Sequence, residues 1–275
     1  MNRMKTRTIL LFLSLTLLSG TSLASCNNGD EDITVLKPMY EKLIGKWRWA
    51  ESSGMKDGKW DKYIVPDDIY ERVFLREDGT TQHIRTFDGG YMAMMRSKWK
   101  TDEEVVTVTI SGIESPVLRL TDNEFGFSMM MGADPEKGTA GEEQHFLFRR
   151  IDTGEKHPVE NYLGKWVHSK SYQKKDGQWQ EITFAIPEEG WHEYSEDGSV
   201  TFHSRMGGKD EDSKMYWMVN CNTGDMRWFQ SKPEEAPTVN VTMEGDTMTV
   251  LYSKNFDPAT GAVVEGEFKD ILIKK

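Results

Sequence analysis

Apolar and polar residues alternate with a period of two along most of this chain, the pattern of strands that bury one face. In Lys46 to Ser53 the two tryptophans, Trp47 and Trp49, fall on one side. Lys56-Asp57-Gly58 before Lys59-Trp60 then supplies a hairpin turn, because aspartate and glycine accept positive φ. Phe74-Leu75-Arg76-Glu77-Asp78-Gly79-Thr80 is a second strand running into a turn. Val106, Val108 and Ile110 alternate with Thr107 and Thr109, and Leu118 and Leu120 lead into the turn Thr121-Asp122-Asn123-Glu124. Phe125, Phe127, Met129 and Met131 return on a single face; Asp134-Pro135-Glu136-Lys137-Gly138 reads as a loop and Phe146-Leu147-Phe148-Arg149-Arg150 as a closing strand. Val35 to Ile44 is the one helical pattern before this series, and Pro38 limits it to a turn or two. About eight short strands in roughly 110 residues is the number that closes a small up-and-down antiparallel barrel.

The series is written twice. Gly45-Lys46-Trp47 recurs as Gly164-Lys165-Trp166, and Asp57-Gly58-Lys59-Trp60 as Asp176-Gly177-Gln178-Trp179. Glu77-Asp78-Gly79 recurs as Glu196-Asp197-Gly198, Pro116 as Pro237, and Asp134 to Gly138 as Asp257-Pro258-Ala259-Thr260-Gly261. Leu147-Phe148-Arg149-Arg150 is answered by Leu272-Ile273-Lys274-Lys275, and between these markers Val239, Val241 and Met243, then Met248, Val250 and Tyr252, repeat the alternating hairpin. The prediction is an all-β chain of two tandem small antiparallel up-and-down barrels, residues 38–151 and 158–275, joined through the polar stretch Asp152 to Pro158.

The first residues follow other rules. Arg3, Lys5 and Arg7 precede the short apolar run Ile9 to Leu18, which predicts a secretory signal over residues 1–25. Leu23-Ala24-Ser25-Cys26 looks like a lipobox, with Cys26 as the lipidated residue, and residues 26–37 follow as an acidic tether through Asp30, Glu31 and Asp32. Each methylene of a lipid chain adds about 0.8 kcal/mol of membrane affinity, so the resemblance implies an anchor in the membrane. Asn27 after the cysteine, unlike the aspartate of inner-membrane lipoproteins, favours the outer membrane, surface-exposed or periplasm-facing. Loss of the signal takes the formal net charge from −11 to −14. Such a charge excludes nucleic acid as a partner. With Cys26 lipidated, Cys221 has no cysteine to pair with inside the chain; it is expected as a small buried strand residue.

Gly-x-Trp on the first strand, about eight strands, and a basic residue closing the last one resemble the lipocalin and wider calycin pattern. The lipobox makes the whole similar to the tandem lipocalin-like-domain lipoproteins of Gram-negative bacteria. The resemblance implies a tryptophan plug at one end of each barrel with a cationic side chain across it: Trp47 with Arg149 or Arg150, and Trp166 with Lys274 or Lys275. The second copy has lysine where the family pattern has arginine.

For a ligand, the soft and bulky residues are the candidate lining: Met92, Met94 and Met95, Met129 to Met131, Tyr216, Trp217 and Trp228. Trp60 and Trp179, beside their turns, are candidates to stack on sugar rings. The six histidines show no metal-ligand spacing, and neither a Gly-x-Ser-x-Gly elbow nor a phosphate-cradling loop occurs. The acidic pairs Asp67-Asp68, Glu188-Glu189 and Glu234-Glu235 adjoin prolines in polar stretches, and Asp210-Glu211-Asp212 lacks a complete calcium loop. The expectation is a non-enzymatic binding protein without metal or cofactor. It would take a small apolar or amphipathic ligand; the alternative is a structural, adaptor or glycan-binding surface lipoprotein.

Overall fold

Pro38 lacks an N–H and sets its own φ, so it opens rather than continues a helix, and the helix that follows, α1 (Met39–Leu43), is a single turn. The structure, a computed structural model, describes residues 38–56, 59–66, 69–132, 141–182, 188–256 and 263–275. The signal peptide, Cys26, the acidic tether, the expected turns at Asp57-Gly58, 134–138 and 257–261, and the acidic pair Asp67-Asp68 lie outside these residues.

From Gly45 onward the chain is all-β. The first half runs β1 (Gly45–Lys56), β2 (Lys59–Ile64), β3 (Glu71–Leu75), β4 (Thr80–Phe87), β5 (Tyr91–Asp102), β6 (Thr107–Ile110), β7 (Ile113–Leu120), β8 (Glu124–Met131) and β9 (Glu142–Ile151). The second runs β10 (Gly164–Lys175), β11 (Gln178–Ile182), β12 (Glu189–Tyr194), β13 (Ser199–Met206), β14 (Lys209–Val219), β15 (Asp225–Phe229), β16 (Thr238–Glu244), β17 (Thr247–Phe256) and β18 (Val263–Lys274). The architecture is a closed eight-stranded antiparallel barrel with outer strands. β1 pairs with β3 through Gly45 to Arg48 and with β9 along its other edge, while β3 to β9 pair in sequence. β2 joins only the far end of β1, Glu51 to Lys56, so the described residues of each half hold nine strands where about eight were expected. A bulge between Trp49 and Glu51 lets β1 bend from one partner to the other.

The second half repeats this register. β10 meets β12 at Gly164 to Val167, β11 at Ser171 to Lys175, and β18 along its other edge, with the bulge again two residues past the tryptophan, between His168 and Lys170. The hairpin Asp176-Gly177 has positive φ at both residues, 49° and 77°, which matches the twist of its flanking strands. Two local expectations change. Val106 is not in a strand: it sits at φ 54° in the turn before β6, so the buried face starts at Thr107 and Val108. Cys221 is in the turn after β14 and half-buried, not within a strand.

The first half's core is Leu43, Trp47, Val73, Leu75, Trp99, Val108, Phe125, Phe127 and Phe148. The second gathers Trp166, Tyr194, Val200, Trp217, Met226, Val241, Met248 and Leu272, and with them Tyr70, Ile84, Met92 and Met94 from the first half. Those four belong to β4, β5 and the loop before β3, and all are at most 9% exposed. Val219 pairs with Met92, Asn220 Nδ2 donates to Gly89 O at 2.8 Å, and a Cβ on Gly198 would overlap Met94 O. The connection is docked as well. Lys46 Nζ and Arg72 Nη1 donate to Glu155 O at 2.6 and 3.2 Å, and fully buried Arg72 pairs with Glu160 at 2.9 Å. Residues 37–275 thus form one compact unit.

Candidate functional site

The repeated Gly-Lys-Trp has a local cause in each half. Trp47 Nε1 donates to Leu43 O at 2.7 Å, and Trp166 Nε1 to Tyr162 O at 2.7 Å, so each indole caps the turn that enters its first strand. Arg150 lies over the Trp47 ring at 4.1 Å and Lys274 over the Trp166 ring at 5.0 Å. Arg150 Nη1 donates to Ile44 O at 2.7 Å, Nη2 to Lys42 O at 2.5 Å and Nε to Asp122 O at 2.5 Å. Lys274 Nζ reaches one carbonyl, Asn161 O, at 3.0 Å. The glycines make room: Gly45 has φ +136°, and a Cβ there would overlap Arg150 Nη1. Arg149 points the other way, to Glu51 at 2.9 Å, and Lys275 is exposed at the chain end.

Of the sulfur and indole side chains named as a ligand lining, Met92, Met94 and Trp217 share one packed core with Trp228 against it, and Met129 and Met131 lie apart from them. Met92 and Met94 are buried where the first half meets the second, whereas Met129 packs on the first core and Met131 is 40% exposed. Trp217 is fully buried in the second half's core, with Trp228 packed against that core. Trp60 and Trp179 stand exposed on β2 and β11, Trp60 stacked on His145 at 4.0 Å and Trp179 beside Lys269 at 4.7 Å.

A cavity of about 330 Å³ lies farther along the second half's strands than Trp166. His168, Ser171, His192, Phe202, Tyr252 and Asp270 are among its lining, drawn from five strands. Ser171 Oγ donates to Asp270 Oδ1 at 2.5 Å, and His168 Nε2 is 3.0 Å from Ser171 Oγ. A serine hydroxyl has one proton and here it goes to Asp270, so His168 must donate its Nε2–H to the serine oxygen. His168 Nδ1 is buried and without a partner, like His192 Nδ1 nearby. Each unpartnered buried nitrogen costs about 1–3 kcal/mol. Burial, outweighing the Asp270 charge, pushes His192 down to about 4, so it is neutral at pH 7. Burial first, then the Asp270 charge and hydrogen bond, raises Tyr252 well above the usual phenol range.

Serine, histidine and aspartate within one cavity invite comparison with a nucleophilic triad, but the connectivity differs. In a triad the imidazole takes the serine proton on one nitrogen and is held by the carboxylate on the other. Here both Ser171 and Asp270 face His168 Nε2, Asp270 at 3.6 Å, and the serine proton is already committed to the carboxylate. Among the described residues no three His, Cys, Asp or Glu side chains converge to hold a metal ion.

The equivalent layer of the first half is closed by aromatic rings. Because the registers correspond, positions can be matched through their partners. Trp49 pairs with Phe148 where His168 pairs with Leu272; Ser52 pairs with Phe146 where Ser171 pairs with Asp270; Trp47 pairs with Val73 where Trp166 pairs with His192. So Trp49, Phe146 and Val73 occupy the places of His168, Asp270 and His192. Trp49 packs on Phe146 at 6.1 Å and Phe127 stacks on Phe146 at 5.5 Å. Sequence reasoning that sought a lining in methionine and tryptophan missed these polar residues. The substitutions between copies were the signal that marks them.

No protein-family model matches this chain, and no curated protein does. Among solved structures, a DUF3598-family protein of unknown function from Nostoc punctiforme overlays 87% of this chain and 100% of its own, at 10% identity and a TM-score of 0.26. The Pseudomonas aeruginosa MucA/MucB complex overlays 86% of this chain and 91% of its own, at 10% identity and a TM-score of 0.17. At these scores the likeness identifies no family.

Proposed function

We propose that the chain is a tandem pair of lipocalin-like barrels, held at the outer membrane by lipid on Cys26, and that it binds a small amphipathic molecule in its second half. The cavity beside His168 and Asp270 carries this reading: at about 330 Å³ it lies in the range of small-molecule sites. Its lining pairs apolar Phe202 with a few polar groups, as ligand sites do. The tandem reading is supported by the matched registers, bulges and tryptophan contacts of the two halves. The reading is of a carrier or sensor rather than an enzyme, since Ser171 and Asp270 both face one nitrogen of His168 and the serine–imidazole–carboxylate relay of a triad is not formed.

A second reading draws on the outer strand β2, where Trp60 and Ile64, on one face, are 45 and 68% exposed. A patch of this kind suits contact with a glycan or a partner protein. The two readings part in native mass spectrometry of the full chain, extracted in detergent from its own envelope. A co-purified small molecule that is lost in His168→Trp supports the cavity. A chain that carries none, and whose mass is unchanged by that substitution beyond the side chain, refutes it.

A further inference from the structure

The first half serves as an internal comparison for the second. At three matched positions the first has Trp49, Phe146 and Val73, which fill the interior, and the second has His168, Asp270 and His192, which leave a cavity. Exchanging packed rings for polar groups forfeits core burial, and it leaves two buried imidazole nitrogens without partners. A site that carries such a cost, in one copy and not the other, is shaped by what enters it.

The chemistry of the lining selects the class of occupant. Three carboxylates border the cavity, Asp270, Asp212 and Glu211, and no lysine or arginine is among its described lining residues. The third histidine there, His203, is held by Asp212 at 2.7 Å and lies 3.7 Å from Asp210. His168, whose side chain is 10% exposed, has an unpartnered nitrogen at Nδ1, and Phe202 and Tyr252 add aromatic surface. An anionic ligand such as a fatty acid would meet like charge with no guanidinium or ammonium to receive it. An ammonium would find a carboxylate, an unpartnered imidazole nitrogen and aromatic carbon.

We propose that the second half's cavity binds a small organic cation, an amine carried on an apolar body, and that the first half retains the filled form of the same layer. This rests on the reading of the cavity as a ligand site. Ammonium N–H groups would be taken by Asp270 and His168, and the apolar body by Phe202.

The test holds the body constant and varies the charge: isothermal titration calorimetry of the full chain in detergent with 2-phenylethylamine, 2-phenylethanol and phenylacetate. The amine is expected to bind at least tenfold more tightly than the alcohol, and phenylacetate more weakly than either. Asp270→Asn should bring amine and alcohol level. His168→Trp, which installs the first half's side chain, should abolish binding of all three without lowering the thermal midpoint. If Asp270→Asn does not fold, Asp212→Asn with Glu211→Gln, both at exposed residues, must narrow the amine's preference. Alcohol or phenylacetate binding as tightly as the amine, or a preference unchanged in the folded carboxylate variants, overturns the cation class and leaves the ligand-binding reading standing. No binding of any of the three, together with an empty chain in the mass spectrometer, overturns both.

Discussion

Substituting alanine for the two motif glycines separates what the backbone requires from what the arginine requires. Gly45 and Gly164 both have positive φ, +136° and +104°, where a side chain costs about 1–3 kcal/mol in strain. Only at Gly45 does the new methyl also collide with the cation: a Cβ at Gly164 would lie 3.6 Å from Lys274 Cε, an ordinary contact. Moving Arg150 would break at least two of its three carbonyl bonds and its contact with Trp47. Hydrogen bonds to a charged group contribute about 1.5–3 kcal/mol each, and water reaching this half-buried guanidinium reduces their joint loss to about 2 kcal/mol. Gly45→Ala should therefore cost about 3–5 kcal/mol and Gly164→Ala about 1–3 kcal/mol. In an Arg150→Met background the difference should vanish. Urea unfolding of each variant, followed by tryptophan fluorescence and circular dichroism, measures all four values. A gap below about 1 kcal/mol in the natural background, or an undiminished gap without Arg150, refutes the reasoning.

Three further outcomes are expected. Arg72→Met removes the partner of Glu160 and should lower stability by about 3–5 kcal/mol, with faster tryptic cleavage at Lys156; an unchanged urea midpoint would count against the docked connection. His157 and His192 are both pushed down to about 4, in each case chiefly by burial. Their unfolded values lie near 6.5, so the unfolded chain binds more protons between these limits. Stability is then fully present above about pH 6.5 and lost as pH falls toward 4. For His192 the gap amounts to about 3 kcal/mol at most, and His192→Phe should flatten that part of the profile. Burial alone would raise Glu160, but its bonds from Arg72 and the His157 N–H, with the Arg72 and Lys46 charges, hold it below the usual carboxylate range, so further loss follows at lower pH. Finally, Cys26→Ser should move the protein from the membrane to the soluble fraction, and continued attachment would exclude the lipid anchor.

Strands and turns were legible in the sequence because period-two alternation and Asp-Gly turns are local signals. Trp47 and Trp49, or Phe125 and Phe127, announce a buried face without knowledge of the partner strand. The choice of Arg150 over Arg149 was not legible: neighbouring residues on a strand face opposite ways, and the register that sets Trp47 opposite Arg150 decides which one turns inward. The cavity was less legible still. His168, His192 and Asp270 come from three strands and form no motif by spacing. Each becomes conspicuous only when set against Trp49, Val73 and Phe146, and that match depends on strand registers. In the sequence Met92 and Met94 read as a ligand lining rather than as core for a related reason. They face away from their own half's core, and a single half contains nothing to bury them.

That last placement has a consequence for the integrity of the chain. Because Tyr70, Ile84, Met92 and Met94 complete a hydrophobic cluster that belongs mostly to residues 158–275, neither copy is self-sufficient. Cut at the connection, one fragment would present a greasy scar and the other an open wound of matching shape. The two halves are thus not separable by simple truncation. Damage to either half is then felt by both.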